Sequence, residues 1–381
     1  MREIPIVILG LGNVGSALLH QILGTRAVLA QRAGLWLTPI GIADSQGLLL
    51  DPTGLPDEAL HAALRAKTDG RPLSTLVGQD GILHYLGNVL QPGTILVDVT
   101  ASPKTEPTLR AALDAGCGLV LANKIPLAGP WAKAKPFFEH LHLRYEATVG
   151  AGLPVISTLH YLLDTGDQVT AIEGCLSGTL GYLCTELERG VPYSAAVSQA
   201  RSLGYTEPDP REDLNGRDVA RKMLILARTA GWPLEMANLT VEPLYPERLV
   251  SVSTEEFMAA TPTLDEQYTA RIGEAQARGQ TLRYVARVGP DGGEVGLVAV
   301  PHDSPLGVLR GPANYVALHT RRYAEIPLVL SGPGAGPEVT ATGVLGDVIN
   351  LASTKQVITH HAIRNTFHVS HSGAQPSKER P

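Results

Sequence analysis

Over the first 150 residues, short apolar runs alternate with segments of helical period. Residues 4–9, 35–43, 94–97 and 119–122 are near-continuous apolar runs, and 17–23 and 109–114 carry a helical pattern between them. Strands covered by helices on both faces lose the in–out alternation and read this way. The order therefore predicts an α/β fold whose first unit is a parallel sheet with helices on its faces. Beyond about residue 150 the pattern changes. Gly150-Ala151-Gly152 leads into a helix expected at 155–163, and Ser177-Gly178-Thr179 reads as a loop. A Pro- and Asp-rich turn at 206–210 precedes a strong helical pattern at 216–230, and strand-like runs follow at 282–288 and 294–300. A second glycine loop, 332–336, introduces a helix expected at 338–352. The organisation expected is a parallel-sheet domain made of 1–150 plus 332–356, a second α+β domain at 151–331, and a tail at 357–381, partly disordered because Ser370–Pro381 is polar and Pro-containing.

Composition narrows the function. Lys and Arg number 31 against 37 Asp and Glu, a net charge of −6, and aromatics are 5% of the 381 residues. Neither the charge nor the aromatic content suits nucleic acid. Three cysteines cannot all pair within one chain, and no Cys/His zinc spacing is present. No predominantly apolar stretch reaches the roughly 18–20 residues of a membrane span. The charge-free stretch 147–163 is broken by Gly150, Gly152 and Pro154. The N-terminal apolar run is short and lacks the form of a signal peptide, so a cytoplasmic protein is expected.

The first glycine loop, Gly10-Leu11-Gly12-Asn13-Val14-Gly15, matches G-x-G-x-x-G between an expected strand and an expected helix, the context of a Rossmann-type dinucleotide site. Gly10 suits the tight turn, Gly12 the approach of a pyrophosphate, and Gly15 close helix–strand packing. The helix N-terminus adds free N–H groups and a positive dipole end. Asp44 ends the next strand, where an acid accepts from ribose hydroxyls and repels a 2′-phosphate. It lies 29 residues past Gly15 rather than the usual ~20, which points to an insertion around 25–34. Thr100, Ser102 and Lys124 follow further strands, at the carboxyl ends where an open parallel sheet meets its ligand.

On the 216–230 helix, Asp218 and Lys222 are four apart and share one face. They border an apolar arc of Val219, Ala220, Met223, Leu226, Ala227 and Ala230, while Arg217, Arg221 and Arg228 fall on a different arc. Taken alone, an opposite pair at this spacing reads as an ordinary surface ion pair.

In order along the chain, GLGNVG, DVTAS, ANK, EATVGAGLPVI, SGTLGY, GYTEPDPREDLNGRDVARK and GPGAG…TATGVLGD resemble the homoserine dehydrogenase family, from residue 4 to about 350. The block 204–222 is the most specific part. The resemblance implies reduction of L-aspartate 4-semialdehyde to L-homoserine with NAD or NADP, on the way to threonine, methionine and isoleucine, by a homodimer whose second domain binds substrate and dimerises. It implies catalytic Lys222 with Asp218 as partner, and Lys124 near both substrate and nicotinamide. Glu207, Asp213, Tyr205 and Thr179 match substrate-contacting positions. Gly334, Ala335 and Gly336 match a returning cofactor loop. Glu146, Val149, Ala151 and Leu153 match a monovalent-cation site (Na+ or K+) built largely from backbone carbonyls. The chain departs at Gly181, where many relatives carry a polar residue, and the C-terminal threonine-sensing domain of many relatives is not expected. The alternatives are a related amino-acid semialdehyde dehydrogenase and a non-catalytic nucleotide-binding sensor. His360, His361, His368 and His371 show no ligand spacing and read as structural or solvated.

Overall fold

The computed structural model describes residues 1–76, 86, 87 and 89–368, with 354–368 as helix backbone. His371 and the expected polar tail Ser370–Pro381 lie outside the described residues. Two six-stranded sheets organise the rest. The first contains β1 (Arg2–Leu9), β2 (Leu35–Ala43), β3 (Leu48–Leu50), β4 (Ile95–Asp98), β5 (Gly118–Leu121) and β6 (Leu143–Arg144), in the order β3-β2-β1-β4-β5-β6. All pairings are parallel except β2 with β3. The apolar runs are its central strands: Ile6, Val7, Ile8, Ile95, Leu96, Val97, Leu119, Val120 and Leu121 are fully buried. That double-sided burial is the reason their sequence shows no alternation.

The second sheet contains β7 (Val169–Cys175), β8 (Leu239–Val241), β9 (Gln280–Gly289), β10 (Gly292–Pro301), β11 (Ala313–Thr320) and β12 (Leu328–Pro333), in the order β12-β11-β7-β9-β10-β8. It is antiparallel apart from β8 along β10. The helices Val155–Asp164 and Arg217–Thr229 pack between the layers, so one buried cluster runs from Leu9, Leu119 and Leu121 through Val155, Leu159, Met223 and Leu226 to Ile172 and Val316.

Helix Pro337–His368 follows β12 and returns to the first sheet. Its Ala341, Val344, Leu345 and Val348 pack with Ile6, Ala17, Leu18 and Ile22. The helix after the first glycine loop runs Asn13–Ala33, ending on Gly34 in the left-handed conformation (φ +63°). The extra length expected around 25–34 is the last turns of this helix. One expectation is corrected. Gly178 and Thr179 begin the helix Gly178–Glu188, with Ser177 capping it through Leu180 N (3.2 Å), rather than forming a loop. Arg228 is buried, unlike the exposed Arg217 and Arg221. Its guanidinium donates to Leu127 O (2.6 Å), Gly129 O (2.7 Å) and Leu234 O (3.0 Å). Its Nη2 reaches Glu235 Oε2 (3.1 Å), so the planar fork of donors is engaged on each of its nitrogens.

Candidate active site

The first glycine loop sits at the carboxyl end of β1. Gly10 N donates to Ala43 O (2.8 Å), which ties the loop to β2. Gly10 has φ +100°, a region that disfavours a side chain, and a Cβ at Gly15 would lie 2.0 Å from Gly10 O. A Cβ at Gly12 would meet nothing within 4 Å, so the crest of the loop faces open space. Gly12 begins the helix Asn13–Ala33 without a side-chain cap, leaving first-turn N–H groups at the positive helix end. A cradle without side chains, beside unclaimed N–H groups, fits the pyrophosphate of a dinucleotide. Asn13 and Gly12 are exposed there and Val14 is half-buried.

Asp44 stands just after β2, and its side chain turns into its own loop. Oδ1 accepts from Gln46 N and Gly47 N (both 2.8 Å), and Oδ2 accepts from Lys67 Nζ and Leu73 N (both 2.9 Å). Burial opposes the charge, but these donors prevail and hold the carboxyl below the usual carboxylate range. At the end of β4, Asp98 is fully buried, accepting from Thr100 N (2.9 Å), Thr105 Oγ1 (2.7 Å) and Asn123 Nδ2 (3.0 Å). Asn123 Nδ2 also lies 2.9 Å from Ser102 O and 3.3 Å from Thr100 Oγ1. This network stitches the loops after β4 and β5 together and fixes Thr100, Ser102 and Lys124 at the sheet's edge. The motifs around Asp98 and Asn123 drew attention in the sequence, but nothing there showed that the two side chains bond to each other.

The ionised centre lies where helix Arg217–Thr229 meets the first sheet. Gly216 precedes the helix in the left-handed region (φ +69°), and a Cβ there would fall 1.9 Å from the Tyr284 hydroxyl. Asp218 occupies the first turn, where the helix dipole favours a carboxylate. Its Oδ2 meets Lys222 Nζ at 2.8 Å and its Oδ1 meets Lys124 Nζ at 3.4 Å. Lys124 follows β5 and immediately precedes the short helix Ile125–Ala128, whose Ile125 N–H is taken by Asn123 Oδ1 (3.1 Å). Lys222 also donates to Leu176 O (2.7 Å), just past β7. One carboxylate thus bridges two ammonium groups carried by different layers. Burial works against the Asp218 charge, yet Lys222 and Lys124 hold its carboxyl well below the ordinary range. Burial pushes the Lys124 ammonium below the ordinary lysine value; Asp218 opposes that, while Lys222 and Arg221 add to it. The Leu176 carbonyl and the charge of Arg221 are two contributors that sequence reasoning did not single out.

Beside this centre, Thr179 Oγ1 lies 3.0 Å from Asp213 Oδ1 and 2.5 Å from Tyr205 O. Asp213 Oδ2 accepts from Glu207 N (2.9 Å), and burial pushes the Asp213 carboxyl up. The side chains of Glu207 and Tyr205 are exposed, with the Tyr205 ring 4.9 Å from that of Tyr182. Gly181, the departure from the family pattern, lets Gly311 approach: a Cβ there would lie 2.6 Å from Gly311 O.

The segment 146–153 turns through Gly150 (φ +78°) and Ala151 (φ +57°). The Glu146 carboxylate caps the Val155–Asp164 helix, accepting from Ile156 N (2.6 Å) and Ser157 N (2.8 Å). Burial raises the Glu146 carboxyl's pKa, against the pull of these donors. Glu146 O accepts from Val149 N (3.2 Å) and Leu153 O from Val155 N (2.8 Å), while no backbone N–H of the described residues donates to Val149 O or Ala151 O. Uncommitted carbonyls on a tight bend fit a hard cation. No cluster of three His, Cys, Asp or Glu suits a metal among the described residues. This bend abuts the second glycine loop: Cβ atoms at Gly152 and Gly332 would lie 2.4 Å from Val339 O and 3.0 Å from Leu153 Cδ2. Gly334 and Gly336 are the glycines of that loop next to the last helix, Gly336 with φ +115° and Ala335 exposed between them.

Comparison with known proteins identifies the family. A family model described as homoserine dehydrogenase matches residues 154–349. The homoserine dehydrogenase of Emericella nidulans is 39% identical over 366 residues, covering 90% of this chain and 97% of that protein. The chloroplastic bifunctional aspartokinase/homoserine dehydrogenase 2 of Zea mays is 40% identical over 91% of this chain, which spans 38% of the length of that relative. A hyperthermophilic archaeal homoserine dehydrogenase solved in complex with NADPH is similar with a TM-score of 0.70 at 26% identity, covering 92% of this chain and 98% of that one. No helix among the described residues is long and apolar enough to cross a membrane. The chain belongs to the homoserine dehydrogenase family.

Proposed function

We propose that the chain interconverts L-aspartate 4-semialdehyde and L-homoserine in threonine, methionine and isoleucine formation, as a cytoplasmic homodimer. The observation that carries this reading is the Asp218 carboxylate held between Lys222 (2.8 Å) and Lys124 (3.4 Å). A binding sensor has no need of two ammonium groups converging from two layers. A nicotinamide cofactor held there would supply the hydride. Residues 1–150 with 332–356 form the dinucleotide unit, in which Gly10, Gly12, Asn13, Val14 and Gly15 receive the pyrophosphate. Thr100, Ser102, Gly334, Ala335 and Gly336 border the cofactor.

Lys222 delivers the proton to the substrate carbonyl oxygen and returns to Asp218, which orients it. Lys124 holds the same oxygen beside the nicotinamide and stabilises its developing charge. Glu207 pairs with the substrate ammonium, while Thr179, Asp213 and Tyr205 shape the loop around it. Carbonyls of Glu146, Val149, Ala151 and Leu153 hold a monovalent cation that braces the bend between the layers. The test is oxidation of L-homoserine with NAD⁺ and with NADP⁺, following absorbance of the reduced nicotinamide. Activity with at least one is expected, and none with either in folded protein ends this reading.

A further inference from the structure

Asn314 lies near the start of β11, and its side chain is fully buried. Neither Oδ1 nor Nδ2 has a hydrogen-bond partner among the described residues. Its backbone carbonyl is engaged, by Ser331 Oγ at 3.0 Å. A side-chain amide carries two donor hydrogens and an acceptor oxygen, and leaving them unpaired away from water is costly. Such a group in a native protein calls for a reason.

Its position supplies one. Asn314 pairs with Gly332 across β11 and β12, so its amide lies under the residues that follow Gly332. A Cβ at Gly334 would fall 1.8 Å from Asn314 Cγ, 1.9 Å from Nδ2 and 2.3 Å from Oδ1. The Gly334 backbone therefore rests on the amide without bonding to it. Gly334 is half-buried, Ala335 and Gly336 are exposed, and the glycines leave the intervening peptide groups free to rotate.

We propose that Asn314 is a positioning residue for the dinucleotide: its buried amide takes the peptide groups of the 332–336 loop when that loop folds onto bound cofactor. The proposal rests on the cofactor role assigned to this loop above. Left without such partners, the buried amide raises the energy of the arrangement described above. In the bound form the Gly334 peptide turns, giving the amide an N–H to accept and a carbonyl to donate to. The bound arrangement is the one favoured, so cofactor affinity draws on a residue that never touches the cofactor.

The test is Asn314→Leu in the full-length chain, an apolar replacement of similar volume. Fluorescence titration gives Kd for NADH and NADPH, thermal melts are recorded without cofactor, and steady-state kinetics follow. The melting temperature without cofactor should equal or exceed that of the parent, because an unpaired amide has been removed. Kd for the preferred cofactor should rise about tenfold, the order of one or two lost hydrogen bonds. Cofactor KM should follow, while kcat and homoserine KM stay within about twofold. An unchanged Kd overturns the proposal, and so does a marked fall in the cofactor-free melting temperature, which means the amide is already bonded. Should Asn314→Leu not fold, Asn314→Ser is read on Kd alone, a rise sustaining the proposal and no change overturning it. A parent protein that binds neither cofactor ends the functional reading itself; one that binds and turns over, with Asn314→Leu indistinguishable from it, ends only this inference.

Discussion

The carboxyl ends of β1, β4 and β5 present mostly peptide groups and short polar side chains: Gly10–Gly15, Thr100 and Ser102. The elements around the second sheet present ionised ones: Asp213, Asp218, Lys222 and the exposed Glu207. Lys124 alone crosses over, leaving the first sheet to meet Asp218. A surface of backbone donors grips a large ligand through shape, and any added Cβ spoils it. A cluster of ionised side chains moves protons, and any truncation spoils that. Substitutions in the two regions should therefore separate binding from rate.

The largest effect should come from the ionised side. Lys222→Ala is expected to lower kcat by about 10²–10⁴, the usual cost of losing a proton-transfer group. Cofactor Kd should stay near normal, so steady-state kinetics beside a binding titration break the comparison if both move together. Lys124→Ala should lower kcat/KM as well. Because the two lysines serve one oxygen, their effects should be less than additive in a double-mutant cycle. Lys124 also predicts a pH profile. Its ammonium is pushed below the ordinary lysine value, so the charged form is lost earlier than usual as pH rises. The alkaline fall of kcat/KM should set in below 10.5, and Lys124→Arg, which keeps its charge, should move that limb upward.

On the backbone side, Gly15→Ala forces a methyl to within 2.0 Å of Gly10 O. Overpacking of this kind costs about 1–3 kcal/mol. Denaturant unfolding should show the loss, and cofactor Kd should rise while kcat at saturation changes little. The smallest effect on activity is expected at Asp44. Asp44→Ser removes an acceptor from four donors, at about 1.5–3 kcal/mol for a charged acceptor before Ser and water compensate part of it. The folded carboxyl is held below its unfolded value, so its contribution is present at neutral pH and lost on acidification below about 4. The stability difference between parent and variant should therefore close at low pH. The same variant measures cofactor choice: improved use of NADP relative to NAD is expected if the carboxylate also faces the ribose. An unchanged ratio leaves Asp44 as the clamp between Lys67 and Leu73.

Much of the first sheet was legible because each of its central strands is buried on both faces and its loops need glycine for steric reasons. The 35–43 strand and the helix Arg217–Thr229 agree with expectation to within a residue or so. In the second sheet, β7, β8, β11 and β12 were not anticipated. Glu173 and Gly174 interrupt the apolar signal of β7, and its neighbours β9 and β11 are distant in sequence. Gly178 and Gly181 disguised a helix. Both lower helix propensity, yet their missing Cβ atoms admit Pro312 and Gly311, and that packing outweighs the propensity.

Local chemistry in the sequence was enough to determine the glycine cradle, the i,i+4 pairing of Asp218 with Lys222, and the strand–helix alternation of the first sheet, because each depends on residues close together in the chain. Only the tertiary structure decided that Asp218 also holds Lys124, that Asp44 turns to Lys67 and Leu73, that Arg228 is buried, and that the Asn314 side-chain amide beneath Gly334 has no partner among the described residues. Each of these depends on which distant segment supplies the partner, and on whether burial leaves a polar group any partner at all.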